Sequence, residues 1–151
     1  MQKPENKFRI WFLTKFRGWL GQVHPGATFV ARKHADYATS GILDMSLTIN
    51  GMTVWTEFKQ VPTCVKGRKL DVSELQRVEL DTYTEAGAPA CVLVGLHLGK
   101  GLGYDVAIFK SPVPKEVFRS DFRRMGDVFK VLYEMAYIAS LNSNNKFVRT
   151  R

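Results

Sequence analysis

The residues best equipped for chemistry lie in one stretch, GILDMSLTINGMTVWTEFKQV, running from Gly41 to Val61. Asp44 and Glu57 supply hard oxygen donors, and Lys59 is a compact positive charge just beyond the second of them. The stretch alternates apolar and polar residues as half-buried strands do. Asn50-Gly51 at its centre is the strongest short signal for a two-residue hairpin turn. Such a turn pairs Ile49 with Met52, and counting back from there sets Asp44 opposite Glu57. Opposed residues hold their Cβ atoms about 4.5–5.5 Å apart on one face, and the period of two puts Lys59 on that face as well. Two like charges so placed repel. A shared proton, neutralisation by Lys59 or a divalent cation would each offset the repulsion. The cation fits the donor set best, because Mg²⁺ takes a few carboxylates, keeps several waters and is completed by substrate phosphate. A bulge or a longer loop would instead slip the register and send Asp44 to solvent.

Elements on either side must position this hairpin. Phe8, Phe12, Phe16 and Trp19 recur at helical spacing in residues 6–20, which predicts an amphipathic helix ending near Gly18 or Gly21, its aromatic stripe in the core. ATFVARK, residues 27–33, reads as a strand, HADYATSG as a loop, and 42–61 as the hairpin, ended by Pro62. PTCVKGRKL reads as a flexible basic loop. A helix follows, with Asp71 or Ser73 as its N-cap, a capping-box partner three residues on (Glu74 or Gln76), and Gly87 beyond its end. The continuous apolar run 88–96 predicts a strand buried on both faces. GKGLG is a turn, YDVAIFK another strand, and residues 127–141 a last helix with a basic tail. The expected order, α-β-β-β-α-β-β-α, gives an α/β mixed sheet flanked by helices.

Composition narrows the function. Residues 1–151 suffice for one domain with a real core. Twenty-two Lys and Arg against 14 Asp and Glu leave a net charge of +8, a field that attracts polyanions, nucleic acid foremost. No apolar run approaches the roughly 18 residues of a membrane span. Lys7, Arg9 and Lys15 interrupt any signal-peptide core. Cys64 and Cys91 make neither a disulfide framework nor a zinc motif, so the expected compartment is a reducing cytoplasm, that of a bacterium or a phage-infected cell. The glycines of GKGLG precede no Lys-Ser/Thr, which argues against a nucleotide cofactor. His24, His34 and His97 form no metal-nuclease spacing, and there is no GxSxG. His97, at the end of a buried strand, reads as a satisfied core residue.

Gly41-Ile42-Leu43-Asp44, twelve intervening residues, then Glu57-Phe58-Lys59 resembles the GxPD…ExK motif of the PD-(D/E)XK nucleases. More narrowly, the chain resembles the small VRR-NUC and Holliday-junction-resolvase-like members. Leu43 stands where proline is usual, a position that holds no chemistry. Leu70, Ser73-Glu74-Leu75-Gln76 and then Ala86-Gly87 resemble the LSxxQ…G segment of those proteins. The likeness covers residues 27–97; residues 98–151 match no named pattern and are expected to extend the core at its C-terminal side.

The resemblance implies a restriction-endonuclease-like core (αβββαβ) and a metal-dependent DNA endonuclease acting on branched DNA such as Holliday junctions, as a homodimer. An enzyme for forks, flaps or single strands, and a non-cleaving nucleic-acid-binding module of the same fold, are the alternatives. Implied roles follow residue by residue. Asp44, Glu57 and the backbone carbonyl of Phe58 would hold Mg²⁺, with Mn²⁺ able to substitute. Lys59 would orient water or offset developing charge, and Gln76 would position water or phosphate. Glu5 matches the glutamate that many members carry on the first helix, and equally suits a solvated helix N-terminus. Lys66, Arg68 and Lys69 after the active strand, and Arg32, Lys33 and His34 before it, are expected to grip backbone phosphates; a solvated surface is the alternative for each.

Overall fold

The computed structural model describes residues 3–34, 43–62 and 67–149. Helix α1 (Pro4–Val23) begins with proline at its first turn and buries Phe8, Phe12 and Phe16 of the predicted stripe together with Leu13 and Leu20, while Trp19 is only partly buried against the same core. It passes Gly18, where packing of Phe16 and Leu20 outweighs the glycine's weak helix propensity, and ends at Val23, close to the expected stop at Gly21. Strand β1 (Phe29–Lys33) is followed by the hairpin of β2 (Met45–Ile49) and β3 (Met52–Val61). Asn50 and Gly51 take φ of 50° and 81°, as the tight turn demands. Helix α2 (Glu74–Glu85) carries the chain across to β5 (Ala90–His97), which lies parallel to β3, and β6 (Tyr104–Phe109) returns antiparallel. The five-stranded sheet therefore has the order β1-β2-β3-β5-β6, mixed and flanked by helices as expected.

Two short strands fall outside the expected pattern. Strand β4 (Arg68–Lys69) lies within the predicted basic loop and pairs antiparallel with β7 (Glu116–Val117) as a separate ribbon. A 3-10 turn (Arg119–Asp121) then leads to α3 (Met125–Arg149), longer at both ends than the predicted helix. His97 is exposed against expectation: it is the last residue of β5 and meets the edge of Tyr104 at 5.3 Å between ring centroids.

The sheet divides two cores. On one face α1 and α3 pack Phe8, Phe12, Phe16, Phe129 and Leu132 onto Leu47, Ile49, Val54, Phe58 and Leu93. Gly95 admits this packing, since a Cβ there would meet the Phe8 ring at 2.4 Å. On the other face Leu80 of α2 packs with Leu43, Val61, Val92, Val94 and Leu96, joined by Leu70, Val72 and Val117 from the ribbon. Strand β5 is apolar from Ala90 to Leu96 because it lines both cores.

Candidate metal and nucleic-acid site

The register is the one the turn predicts: Ile49 pairs with Met52, and the ladder continues to Met45 opposite Thr56. Asp44 follows one step beyond the end of β2 and Glu57 one step along β3. Their contacts cross over. The Asp44 N–H donates to Glu57 Oε2 at 3.0 Å, and the Phe58 N–H donates to Asp44 Oδ2 at 3.1 Å. The Asp44 carboxylate thus accepts the hydrogen bond that a longer β2 would have accepted. Leu43, at the usual proline position, is buried with Val61 and pins the approach to Asp44.

Glu57 is 2% exposed. Burial, and then the nearby Asp44 charge, push its carboxyl from 4.5 up to about 8, even though Lys59 opposes the shift. Lys59 Nζ stands 3.5 Å from Glu57 Oε1 on the shared face, its side chain 18% exposed. Of the three ways to offset the repulsion, a proton on Glu57 and the Lys59 ammonium both operate without metal.

The donor set also suits a cation. Two carboxylates and a strand carbonyl are hard oxygens, the class Mg²⁺ prefers. Residues in a strand direct N–H and C=O to the same edge, so the Phe58 carbonyl leaves β3 on the side of Asp44. Among the described residues no third His, Cys, Asp or Glu completes a metal cluster. The remaining positions would go to water and phosphate, as is usual for Mg²⁺.

The other expected residues are distributed unevenly. Gln76 serves the start of α2: its Oε1 accepts the Ser73 N–H at 3.0 Å while its own N–H donates to Ser73 Oγ at 3.1 Å, the predicted capping box. Glu5 lies in the first turn of α1, half-buried, where the helix dipole favours an acid. Arg32 pairs with Ser46 and so shares the sheet face of Asp44, whereas Lys33 pairs with Met45 and points to the opposite face. Both are exposed, as are Arg68 and Lys69. Lys66, Gly41 and Cys64 lie outside the described residues.

Sequence reasoning gave little weight to His34. Its N–H donates to the Asp44 carbonyl at 2.8 Å, and its Nε2 lies 2.6 Å from Ser46 Oγ. Its ring faces Trp55, which stacks on Tyr83 at 4.7 Å. The pairing rule that opposed Asp44 to Glu57 could not have found it, because a long connection and not a two-residue turn joins β1 to β2.

No family model and no curated protein matches the sequence. Among solved structures the chain is similar to Hjc, a Holliday junction resolvase from the archaeal hyperthermophile Archaeoglobus fulgidus. The TM-score is 0.53 and the identity 16%, over 85% of this chain and 97% of that one. The restriction-endonuclease-like fold implied by the GxPD…ExK likeness is therefore the fold this chain has.

Proposed function

We propose that the chain is a Mg²⁺-dependent endodeoxyribonuclease that cuts branched DNA as a homodimer. The observation that carries this reading is the opposition of Asp44 and Glu57 on one sheet face, with Lys59 3.5 Å from the second carboxylate. The net charge of +8 and a fold like that of a junction resolvase support it. Asp44, Glu57 and the Phe58 carbonyl hold the cation, whose chemistry when bound is to lower the pKa of water and polarise the phosphate. Lys59 orients the attacking water and offsets charge developing on the phosphate oxygens. The Gln76 amide nitrogen, its oxygen partner engaged at the cap, is the end that can meet water or phosphate. Arg32, Lys66, Arg68 and Lys69 hold the strand by its phosphates without reading bases.

The test is incubation with four-way junction, fork, duplex and single-stranded DNA, with Mg²⁺ and then with EDTA. Cutting of the junction, abolished by EDTA and by Asp44→Ala, is the expected result. Preference for forks or flaps would move the substrate class. Tight binding without cutting would identify a binding module, and cutting that survives Asp44→Ala would overturn the assigned site.

A further inference from the structure

The ribbon of β4 and β7 takes no part in the Asp44–Glu57 pair, yet it is built into the same apolar cluster. Leu70, Val72 and Val117 pack there with Leu43 and Val61, which flank the pair in sequence. The ribbon is also tied down. The Leu70 N–H donates to the Lys115 carbonyl at 2.8 Å, and the Arg77 guanidinium on α2 donates to the carbonyls of Val113 and Pro114.

From this anchored base Phe118 projects with 49% of its surface exposed. Its ring edge lies on Gly67, where a Cβ would come within 2.6 Å of Cε1 and 3.1 Å of Cζ, so the glycine is what admits the ring. The Phe118 N–H donates to Asp121 Oδ2 at 2.8 Å, fixing the backbone that carries it. Lys69, exposed and opposite Glu116, shares the ring's side of the ribbon, whereas Arg68 is opposite the buried Val117 on the other side. Asp121 holds the Phe118 amide and Asp105 pairs with Arg119 at 2.7 Å, while the Glu116 carboxylate lies beside the ring, its Oε2 3.1 Å from where a Cβ on Gly67 would stand.

We propose that Phe118 is a stacking post for an unpaired base of bound DNA, with Lys69 on an adjoining phosphate. Stacking on an aromatic ring is tolerant of base identity. Apolar side chains inserted at a base step are a known means of holding unstacked DNA. The proposal rests on the nuclease reading and gives it a substrate feature: a base already out of the duplex stack, as at a branch point. It also assigns the ribbon a purpose separate from cleavage.

The experiment compares wild type, Phe118→Ala, Phe118→Leu and Gly67→Ala for binding to a four-way junction and to plain duplex. EDTA is present throughout, and 2-aminopurine is placed at the branch. Leucine keeps apolar cover over Gly67 but offers no ring, and Gly67→Ala displaces the ring without changing it. All three variants are expected to bind the junction roughly fivefold or more weakly while duplex binding changes less than about twofold. The 2-aminopurine signal should lose its protein-dependent quenching, and melting temperatures should report the variants folded. Equal loss on both DNAs, or no loss on either, overturns the stacking post. A wild type that cuts junctions when Mg²⁺ is supplied, while its Phe118 variants bind like it in EDTA, sinks this proposal alone. A wild type that binds no DNA sinks the nuclease reading together with it.

Discussion

Glu57 and Phe58 are neighbours on β3, and both are almost wholly buried, yet the two sides of the sheet use burial to opposite ends. Phe58 meets Phe8 and Phe12, each at 5.8 Å between ring centroids and edge-on, in a cluster that continues to Phe129. Burial there stabilises directly, through area removed from water and edge-to-face contacts. Glu57 faces Asp44 and Lys59, and burial there withholds charge until a proton or a cation offsets it. The aromatic face supplies the stability that lets the acidic face remain unfavourable on its own. A carboxylate that is easily satisfied would have little reason to take up metal.

That contrast can be broken from either side. The largest effect is expected at Lys59: Lys59→Ala should lower the cleavage rate by orders of magnitude while junction binding and melting temperature hold. A variant as fast as wild type would remove the ammonium from the chemistry. Next, Phe58→Ala should cost about 3–5 kcal/mol in urea unfolding, and a loss below about 1 kcal/mol would show that the aromatic face is not the foundation claimed here.

The third prediction concerns pH without metal. The Glu57 carboxyl is raised from 4.5 to about 8, so the folded chain keeps a proton that the unfolded chain releases between those values. Its contribution to stability is fullest below the lower value, falls as pH rises through the interval, and is level above about 8. Glu57→Gln should remove that slope and melt higher than wild type at the alkaline end, as scanning calorimetry across the interval would show. On the proposed reading Mg²⁺ displaces the same proton, so its affinity should climb over the same range. An unchanged slope in the variant would mean that Glu57 is not the buried acid. Smallest of all, Ser73→Ala should cost about 1 kcal/mol by removing the cap of α2, with metal affinity unaltered.

How much of this was legible depended on how local the cause was. Asn50-Gly51 fixes its own φ angles, and a two-residue turn dictates every pair behind it, so the opposition of Asp44 and Glu57 was readable from one dipeptide. The aromatic stripe of α1 and the apolar run of β5 were readable because burial imposes a period. The ribbon was not: β4 and β7 hold two residues each, too few to show any period, and lie almost fifty residues apart. The far end of α3 was missed because the sequence from Leu141 to Arg149 is largely polar and shows no apolar period that would mark a helix. Gln76 was assigned both a cap and a place at the site, and only the cap follows from local rules.

The turn itself lies six residues from Asp44, about 20 Å along an extended strand, and touches neither carboxylate. It nevertheless acts as the gear that decides which way they point. One residue inserted there that shifts the register by one would turn every side chain of β2 to the other side relative to β3, delivering Asp44 to the phenylalanines and setting Leu43 or Met45 opposite Glu57. Lesions that silence such a protein need not fall near the residues that react, because a bend this remote governs their meeting.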